Sequence, residues 1–282
     1  MPTFFDRFWA GQRRAEPRIA GDIPAALYAE GGEAAIHGTA RDLGMGGLCI
    51  ATRSPFAAGS IVRIVLRARA ASVSVAVSGL WQEYEDGEKT LLTGFAFGRL
   101  SKAERKAITA LVSEAIGRIA RTLQQTRLPE LGIEDAIAIA ELVRFRSVRS
   151  GRVVYGNQAH DQHAGSLFVV ERGLVSLHLA TPPSRRVALA LVDQGDLFGG
   201  FGLGAPGPFP EVAVAECDSR LLEIHTNTFA FVRRHRPELA LQLAVAASRA
   251  ASLRYCAALL ATEPSPGLGG AAPPPLERGS SA

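Results

Sequence analysis

Arg13-Arg14-Ala15-Glu16-Pro17-Arg18, followed by Asp42-Leu43-Gly44-Met45-Gly46-Gly47, is the pair of stretches on which the reading of this chain turns. Three arginines on a short arm ahead of a strand can grip phosphates and the acceptor edge of a guanine, because the guanidinium fork pairs bidentately with either. Lysine does not offer that planar fork. An ionised Asp42 accepts from the guanine N1–H and N2–H₂ groups, a capacity a plain phosphate site has no use for. Gly46 and Gly47 are expected to let backbone approach a ligand and to adopt positive φ. The combination points to an anionic guanine nucleotide held on a β-rich domain.

Outward from that pair the texture is β. Ile61-Val62-Arg63-Ile64-Val65-Leu66 and Val73-Ser74-Val75-Ala76-Val77 are β-branched runs, the second in strict alternation. Turn signals fall at Gly31-Gly32, Gly44 to Gly47, Gly59 and Asp86-Gly87. Short strands so punctuated predict a small barrel or sandwich from Ala25 to Phe97. Ser101-Lys102-Ala103-Glu104 is a capping box and predicts a helix start. Ile108, Leu111, Val112, Ala115, Ile116, Ile119 and Leu123 form its apolar stripe. Six basic residues (Lys102, Arg105, Lys106, Arg118, Arg121, Arg127) against Glu104 and Glu114 read as a solvated face rather than a nucleic-acid patch, since no aromatics interleave them. Pro129 is expected to end this segment.

A further helix is expected over Glu134 to Phe145. β texture then returns at Val153 to Tyr155, Leu167 to Val170, Leu174 to Leu179, Val187 to Val192, Val212 to Ala215 and Arg220 to Ile224. This predicts a second all-β module of the jelly-roll kind. Thr226 to Phe231 begins a helix, and Pro237 opens another that runs to about Thr262. Leu239, Leu243, Ala246, Ala250, Leu253, Ala257 and Leu260 form a seam suited to a partner helix or equally to the module's own barrel. From Glu263 on, Pro, Gly, Ser and Ala dominate, the composition of a disordered tail.

The 282 residues suffice for two domains, and 47% hydrophobic content can bury real cores. A net charge of +4 and a pI near 9.2 suit an anionic ligand or partner without establishing nucleic-acid binding. Cys49, Cys217 and Cys256 have no CxxC spacing, which argues for a reducing compartment and against a disulfide or zinc scaffold. Mean hydropathy is +0.12, yet no apolar run approaches the ~20 residues of a spanning helix. Met1 to Gln12, with Phe4, Phe5, Phe8 and Trp9, reads as an amphipathic arm that docks on protein, with a membrane surface as the alternative. The chain is expected to be cytoplasmic.

The quoted stretches resemble the PilZ domain, a small bacterial β-barrel that binds cyclic di-GMP. The family pattern is RxxxR on an N-terminal arm, then [DN]xSxxG on the first strands. Arg14 to Arg18 fits the first half, with Arg13 extending it to RRxxxR, and Asp42 to Gly47 fits the second, with Gly44 in place of the Ser. Trp81 after the Val73–Val77 strand, the GxxF strand Gly94 to Phe97 and the helix opening at Ser101 fit too. The resemblance spans about residues 11 to 126. It implies cyclic di-GMP (c-di-GMP) bound by Arg13, Arg14, Arg18, Asp42, Gly44, Gly46 and Gly47. Gly44 forgoes a hydroxyl hydrogen bond worth about 0.5–1.5 kcal/mol.

Residues from about Leu131 to Ala261 resemble the cyclic-nucleotide-binding domain of the cAMP-receptor family. Ser150 to Gly156 looks like its PxGExIxxxG opening, Phe168 to Val175 like its FIxxGxV strand pair, and Gly195-Asp196-Leu197-Phe198-Gly199 like GDxFGE. The family's ribose-binding Glu falls on Gly200 and its phosphate-binding Arg near Phe209, so the resemblance implies a degenerate pocket turned to dimerisation or partner contact. No helix-turn-helix follows Ala261, so no direct DNA binding is expected. His160-Asp161-Gln162-His163 offers His at i and i+3 in a polar loop, a spacing read as a solvated turn rather than a metal site.

Together these readings predict a mainly β chain with flanking helices: an arm (1–10), a PilZ-like barrel with its linker helix (11–127), a jelly-roll cyclic-nucleotide-binding-like domain (128–261) and a tail (262–282). The expected function is a non-enzymatic cyclic di-GMP receptor, without cofactor or metal, that couples to an unidentified protein effector, with a possible homodimer through the Leu239–Leu260 helix. The alternatives are a cAMP or cGMP sensor acting through the second module, a ligand-free structural adaptor, and a metal-dependent cupin-like enzyme using His160 and His163.

Overall fold

A computed structural model of the chain describes residues 18–69, 71–85, 90–126, 131–156, 163, 165–180, 186–200, 203 and 211–262. The expected arm, the stop at Pro129 and residues 263–282 of the expected tail lie outside them.

Six antiparallel strands close a barrel: β1 (Arg18–Ala29), β2 (Ile36–Gly44), β3 (Gly47–Thr52), β4 (Ile61–Arg67), β5 (Ser72–Glu85) and β6 (Thr90–Phe97), in the order β1-β2-β3-β6-β5-β4. The alternation of β5 does what its period requires: Val73, Val75 and Val77 point inward and Ser72, Ser74 and Ala76 outward. Leu27, Ile50, Ile64, Leu66 and Phe95 complete the barrel interior. Helix α1 (Lys102–Gln124) begins at the capping box, with Ser101 Oγ accepting from Glu104 N (3.2 Å) and Glu104 Oε2 accepting from Ser101 N (2.7 Å). Its first turns carry Ile108 and Leu111 into the barrel core.

The second module is a sandwich of two antiparallel sheets. Its strands are β7 (Arg144–Val148), β8 (Val153–Tyr155), β9 (Leu167–Arg172), β10 (Val175–Ala180), β11 (Arg186–Val192), β12 (Leu197–Gly199), β13 (Glu211–Ala215) and β14 (Ser219–Ile224). They are ordered β11-β10-β13-β8 and β12-β9-β14-β7. Helices α2 (Ile133–Ala140), α3 (Thr226–His235) and α4 (Pro237–Thr262) flank it.

Three expectations are corrected. The helix expected over Glu134 to Phe145 stops at Ala140, and Phe145 lies in β7. Residues 144–148 pair with β14 from Arg144↔Glu223 to Val148↔Ser219, and that ladder overrides the local helical pattern. The seam on α4 divides: Leu239, Leu243 and Ala246 are buried on the module itself, while Leu253 and Leu260 are 65% and 71% exposed. Averaged rather than read as a run, an 18-residue window of Pro237–Leu260 reaches a mean hydropathy of 1.3, so this helix is long and apolar enough, by length and composition, to cross a membrane. Its buried residues are nonetheless part of the module's core.

The modules share one core. Ile19 and Ala20 of β1 cluster with Ala115, Ile119 and Leu123 of α1, Ala136 and Ile139 of α2, and Leu222 and Ile224 of β14. Helix α1 thus packs its first half on the barrel and its second half against the other module. At the edge of this core Arg220 of β14 pairs with Asp22 of β1 and Glu171 of β9, with its guanidinium 4.1 Å from the Phe145 ring centre. Deep in the sandwich, Tyr155 donates to the fully buried carboxylate of Glu211. Burial pushes that carboxyl above its usual range, against the opposing pull of the Tyr155 hydrogen bond and the Arg254 charge.

Two outcomes follow. Arg220→Ala, which strands the largely buried Glu171, is expected to lower stability by about 2–3 kcal/mol in urea unfolding, and a second change, Glu171→Gln, to recover part of the loss. Because the folded-state pKa of Glu211 is raised, its contribution is fully present below the ordinary carboxylate range and is lost as pH rises through the raised value. Glu211→Gln keeps an acceptor for Tyr155, so its melting temperature should fall less than that of the wild type between about pH 4 and 8.

Candidate functional site

The register of β1 against β2 joins the two stretches of sequence that opened the reading. Arg18 lies opposite Gly44, Ile19 opposite Leu43 and Ala20 opposite Asp42. The arm therefore enters the barrel at the strand edge that carries Asp42. Arg13, Arg14 and the side chain of Arg18 lie outside the described residues; the backbone of Arg18 begins β1. Asp42 is half-buried on β2, and its Oδ1 accepts from Cys49 N at 2.9 Å, beside the irregularity in the β2–β3 ladder between Ala40 and Asp42. Gly44 closes β2. Gly46 is exposed in the turn, and its carbonyl accepts from Phe97 N at 3.0 Å. Gly47 opens β3, where a Cβ would stand 2.1 Å from the Phe95 carbonyl oxygen. Neither Gly46 nor Gly47 has a left-handed backbone, so the expectation of positive φ is corrected at both: Gly47 is needed because β3 and β6 approach too closely for a side chain.

Asp42 opens into a pocket of about 260 Å³. Cys49, Trp81, Glu83 and Leu92 form its barrel side, and Leu142, Val143, Arg144, Phe145 and Ser147 its far wall, so both modules contribute. Trp81 sits in β5 just past a ladder irregularity and faces Gly94 of β6. A Cβ on Gly94 would fall 2.2 Å from the indole Nε1, so Gly94 is the seat on which the ring lies. The indole remains 38% exposed and presents a stacking face beside the Asp42 carboxylate. In the sequence Trp81 and Gly94 stand out only as part of a strand pattern. A Trp paired across the ladder with a Gly was the signal for the site role, and it needs the register to be read.

Arg41, next to Asp42, bridges the modules. Its Nη1 donates to Ser147 Oγ at 2.6 Å, and Nη2 lies 3.6 Å from Glu85 Oε2. The β7 wall is thus tied to the strand that carries Asp42.

The second module's own hollow is different. About 510 Å³ lies beside Gly200, lined by Gly199, Leu203, Ala244, Ala247 and Tyr255, with no charged side chain among the described lining residues. Gly200 is buried with φ +81°, and a Cβ there would meet Leu167 Cδ1 at 3.0 Å and Ala247 Cβ at 3.1 Å. Phe209 lies outside the described residues, as do His160, Asp161 and Gln162. His163 is engaged: its Nδ1 lies 2.8 Å from Glu223 Oε1. Burial raises the Glu223 carboxyl, but the hydrogen bonds of His163 and Ser166, with the charges of His163 and Arg146, outweigh burial and hold it below its usual range.

The barrel and the sandwich match different family models. The PilZ domain model covers residues 12–114, and the cyclic nucleotide-binding domain model covers residues 145–235. Among solved structures the chain is similar to a cyclic nucleotide-binding domain from Methylobacillus flagellatus, at 11% identity over 53% of this chain and 83% of that one (TM-score 0.45). It is similar to the catabolite activator protein of Thermus thermophilus at 26% identity over 48% of this chain and 61% of that one (TM-score 0.39). It is also similar to the regulatory domain of Toxoplasma gondii PKA with cAMP, at 13% identity over 84% of this chain and 77% of that one (TM-score 0.45). No curated protein matches the chain. Two ligand-binding domain types are therefore joined here, a PilZ domain followed by a cyclic nucleotide-binding domain.

Proposed function

We propose that the chain is a cyclic di-GMP receptor in which the PilZ barrel binds the ligand and the second module carries the response to an effector protein. The observation that supports this most directly is the β1–β2 register, which sets Arg18, the last residue of the arginine motif, opposite Gly44 and two residues from the partner of Asp42. In this reading Arg13, Arg14 and Arg18 hold phosphates and guanine acceptor edges. Asp42 takes the donor edge of a guanine. A carboxylate has acceptor sites for about four hydrogen bonds, so its bond to Cys49 N is compatible with that role. Trp81 supplies the face on which the base stacks.

The pocket's far wall supports the coupling. Arg144, Phe145 and Ser147 belong to the second module, so a ligand seated against Asp42 presses on β7 directly. Ordering of the arm over the barrel and movement at this wall form one order–disorder switch. The output surface is the outer face of the end of α4, where Leu253 and Leu260 are exposed toward a second copy or an effector.

Calorimetry on the full chain tests the reading. Cyclic di-GMP should bind with measurable heat, and Asp42→Ala, Arg14→Ala and Trp81→Ala should each weaken it by about tenfold or more, equivalent to about 1.4 kcal/mol. cAMP and cGMP should leave the melting temperature unchanged. An absence of heat at tens of micromolar cyclic di-GMP, or affinity indifferent to Asp42 and Arg14, overturns the reading; a thermal shift by cAMP or cGMP alone moves the ligand to the second module.

A further inference from the structure

Between the barrel, α1 and the second module lies a cleft of about 1240 Å³ that the Asp42 pocket does not account for. Eight arginines line it against three carboxylates, Glu85, Glu171 and Asp218, an excess of five positive charges. Local pairing absorbs part of this, and beyond the direct pairs the charge of Arg118 acts on Glu171 and that of Arg146 on Glu223. Arg41 lies near Glu85, and Arg220 is paired with Asp22 and Glu171. Asp218 is engaged in capping the turn at Ser150 N, at 3.0 Å. Arg149 and Arg152 bracket the turn between β7 and β8, and Arg172 is the ladder partner of Arg220.

Arg118 of α1 sharpens the point. It is half-buried, its guanidinium lies 6.0 Å from the Phe145 ring centre, and its Nε and Nη2 are buried without a hydrogen-bond partner among the described residues. Buried cationic donors left unmatched are costly, and a cleft of one sign concentrates counter-anions. Among the described lining residues the uncharged ones are Thr90, Thr122, Ser147, Val148, Val153, Gln194 and Ser219, and none of them offers an aromatic ring on which a base could stack.

We infer that this cleft binds a linear chain of phosphates, either free inorganic polyphosphate or the oligophosphate tail of a nucleotide. Several fork-shaped donors at separate points on the wall match successive phosphates of a chain better than one isolated phosphate. The cleft shares Arg41, Glu85 and Ser147 with the Asp42 pocket, so its occupant bears on the same contact between the modules.

The test is tripolyphosphate added to the full chain, followed by calorimetry and thermal shift. Saturable binding and a raised melting temperature are expected, with affinity falling as salt is added. The triple variant Arg149→Ala/Arg152→Ala/Arg172→Ala should weaken tripolyphosphate at least tenfold while leaving the melting temperature of the unliganded protein in place; Arg118→Gln is the second, single-site check. ATP, whose base lacks the guanine donor edge assigned to Asp42, assigns the site to the chain alone if it binds as tightly as tripolyphosphate and to a nucleotide tail if it binds more tightly. The inference is overturned if sulfate at equal ionic strength gives the same thermal shift, if the triple variant binds unchanged, or if a short single-stranded oligonucleotide binds more tightly than tripolyphosphate. No cyclic di-GMP enters this measurement, so its outcome is independent of the receptor reading.

Discussion

The joint that the architecture depends on is the guanidinium of Arg220. It sits on β14, pairs with Asp22 across the module boundary and with Glu171 within its own module, and lies on the Phe145 ring. A charge withdrawn from water this far is tolerated only when paired, and separating the modules would leave Asp22 without its partner. The same end of β1 that supplies Asp22 also buries Ile19 and Ala20 in the shared core and pairs Ala20 with Asp42. One short piece of strand thus belongs to the edge that carries Asp42, to the core between the modules and to the charged joint. A ligand at Asp42 needs no long relay to reach the second module, because the strand beside it is already packed there.

Three cavities of this molecule differ in chemistry in a way that follows from their walls. The Asp42 pocket combines a carboxylate with a stacking ring, the inventory for a base. The cleft beyond it has guanidinium groups and hydroxyls without a ring, the inventory for phosphates. The hollow beside Gly200 has methyl and methylene groups with the hydroxyls of Ser248, Ser252 and Tyr255, an uncharged inventory among the described residues. Arg41 is the hinge of the first two: hydrogen-bonded to Ser147 and close to Glu85, it lines both.

What was legible in the sequence was what is local. The capping box at Ser101 formed as written, because both of its bonds close within three residues. The alternation of Val73, Val75 and Val77 identified an inward face without reference to any partner strand. Asp42 and the glycines after it were conspicuous for the same reason. The misses are long-range. Phe145 was read as helical because nothing nearby announces the ladder with β14. Gly47 was assigned to conformational freedom, whereas the neighbour that excludes a side chain, the Phe95 carbonyl, comes from a strand far along the chain. The seat of Trp81 on Gly94 required the β5–β6 register. The arginine cleft was the least legible of all. Arg118 looked like one charge on a solvated helix face, and only the fold turns it toward Arg146 and Arg172.

The second module shows why the loss of a charged pocket is more than the exchange of a side chain. Gly200 stands where the resemblance puts a carboxylate, and its left-handed backbone resists any side chain. The space a Cβ would enter is bounded at 3.0 Å by Leu167 and at 3.1 Å by Ala247, and Ala247 belongs to the buried stretch of α4. Placing a glutamate there would require the backbone to change basin and α4 to withdraw from a core it shares with Leu239, Leu243 and Ala246. Those residues anchor the first half of the helix, and Arg254, Tyr255 and Ala258 hold its second half on the sandwich while Leu253 and Leu260 face outward. The packing that closes the hollow and the packing that presents the exposed end of α4 are therefore the same, and a return to one arrangement costs the other.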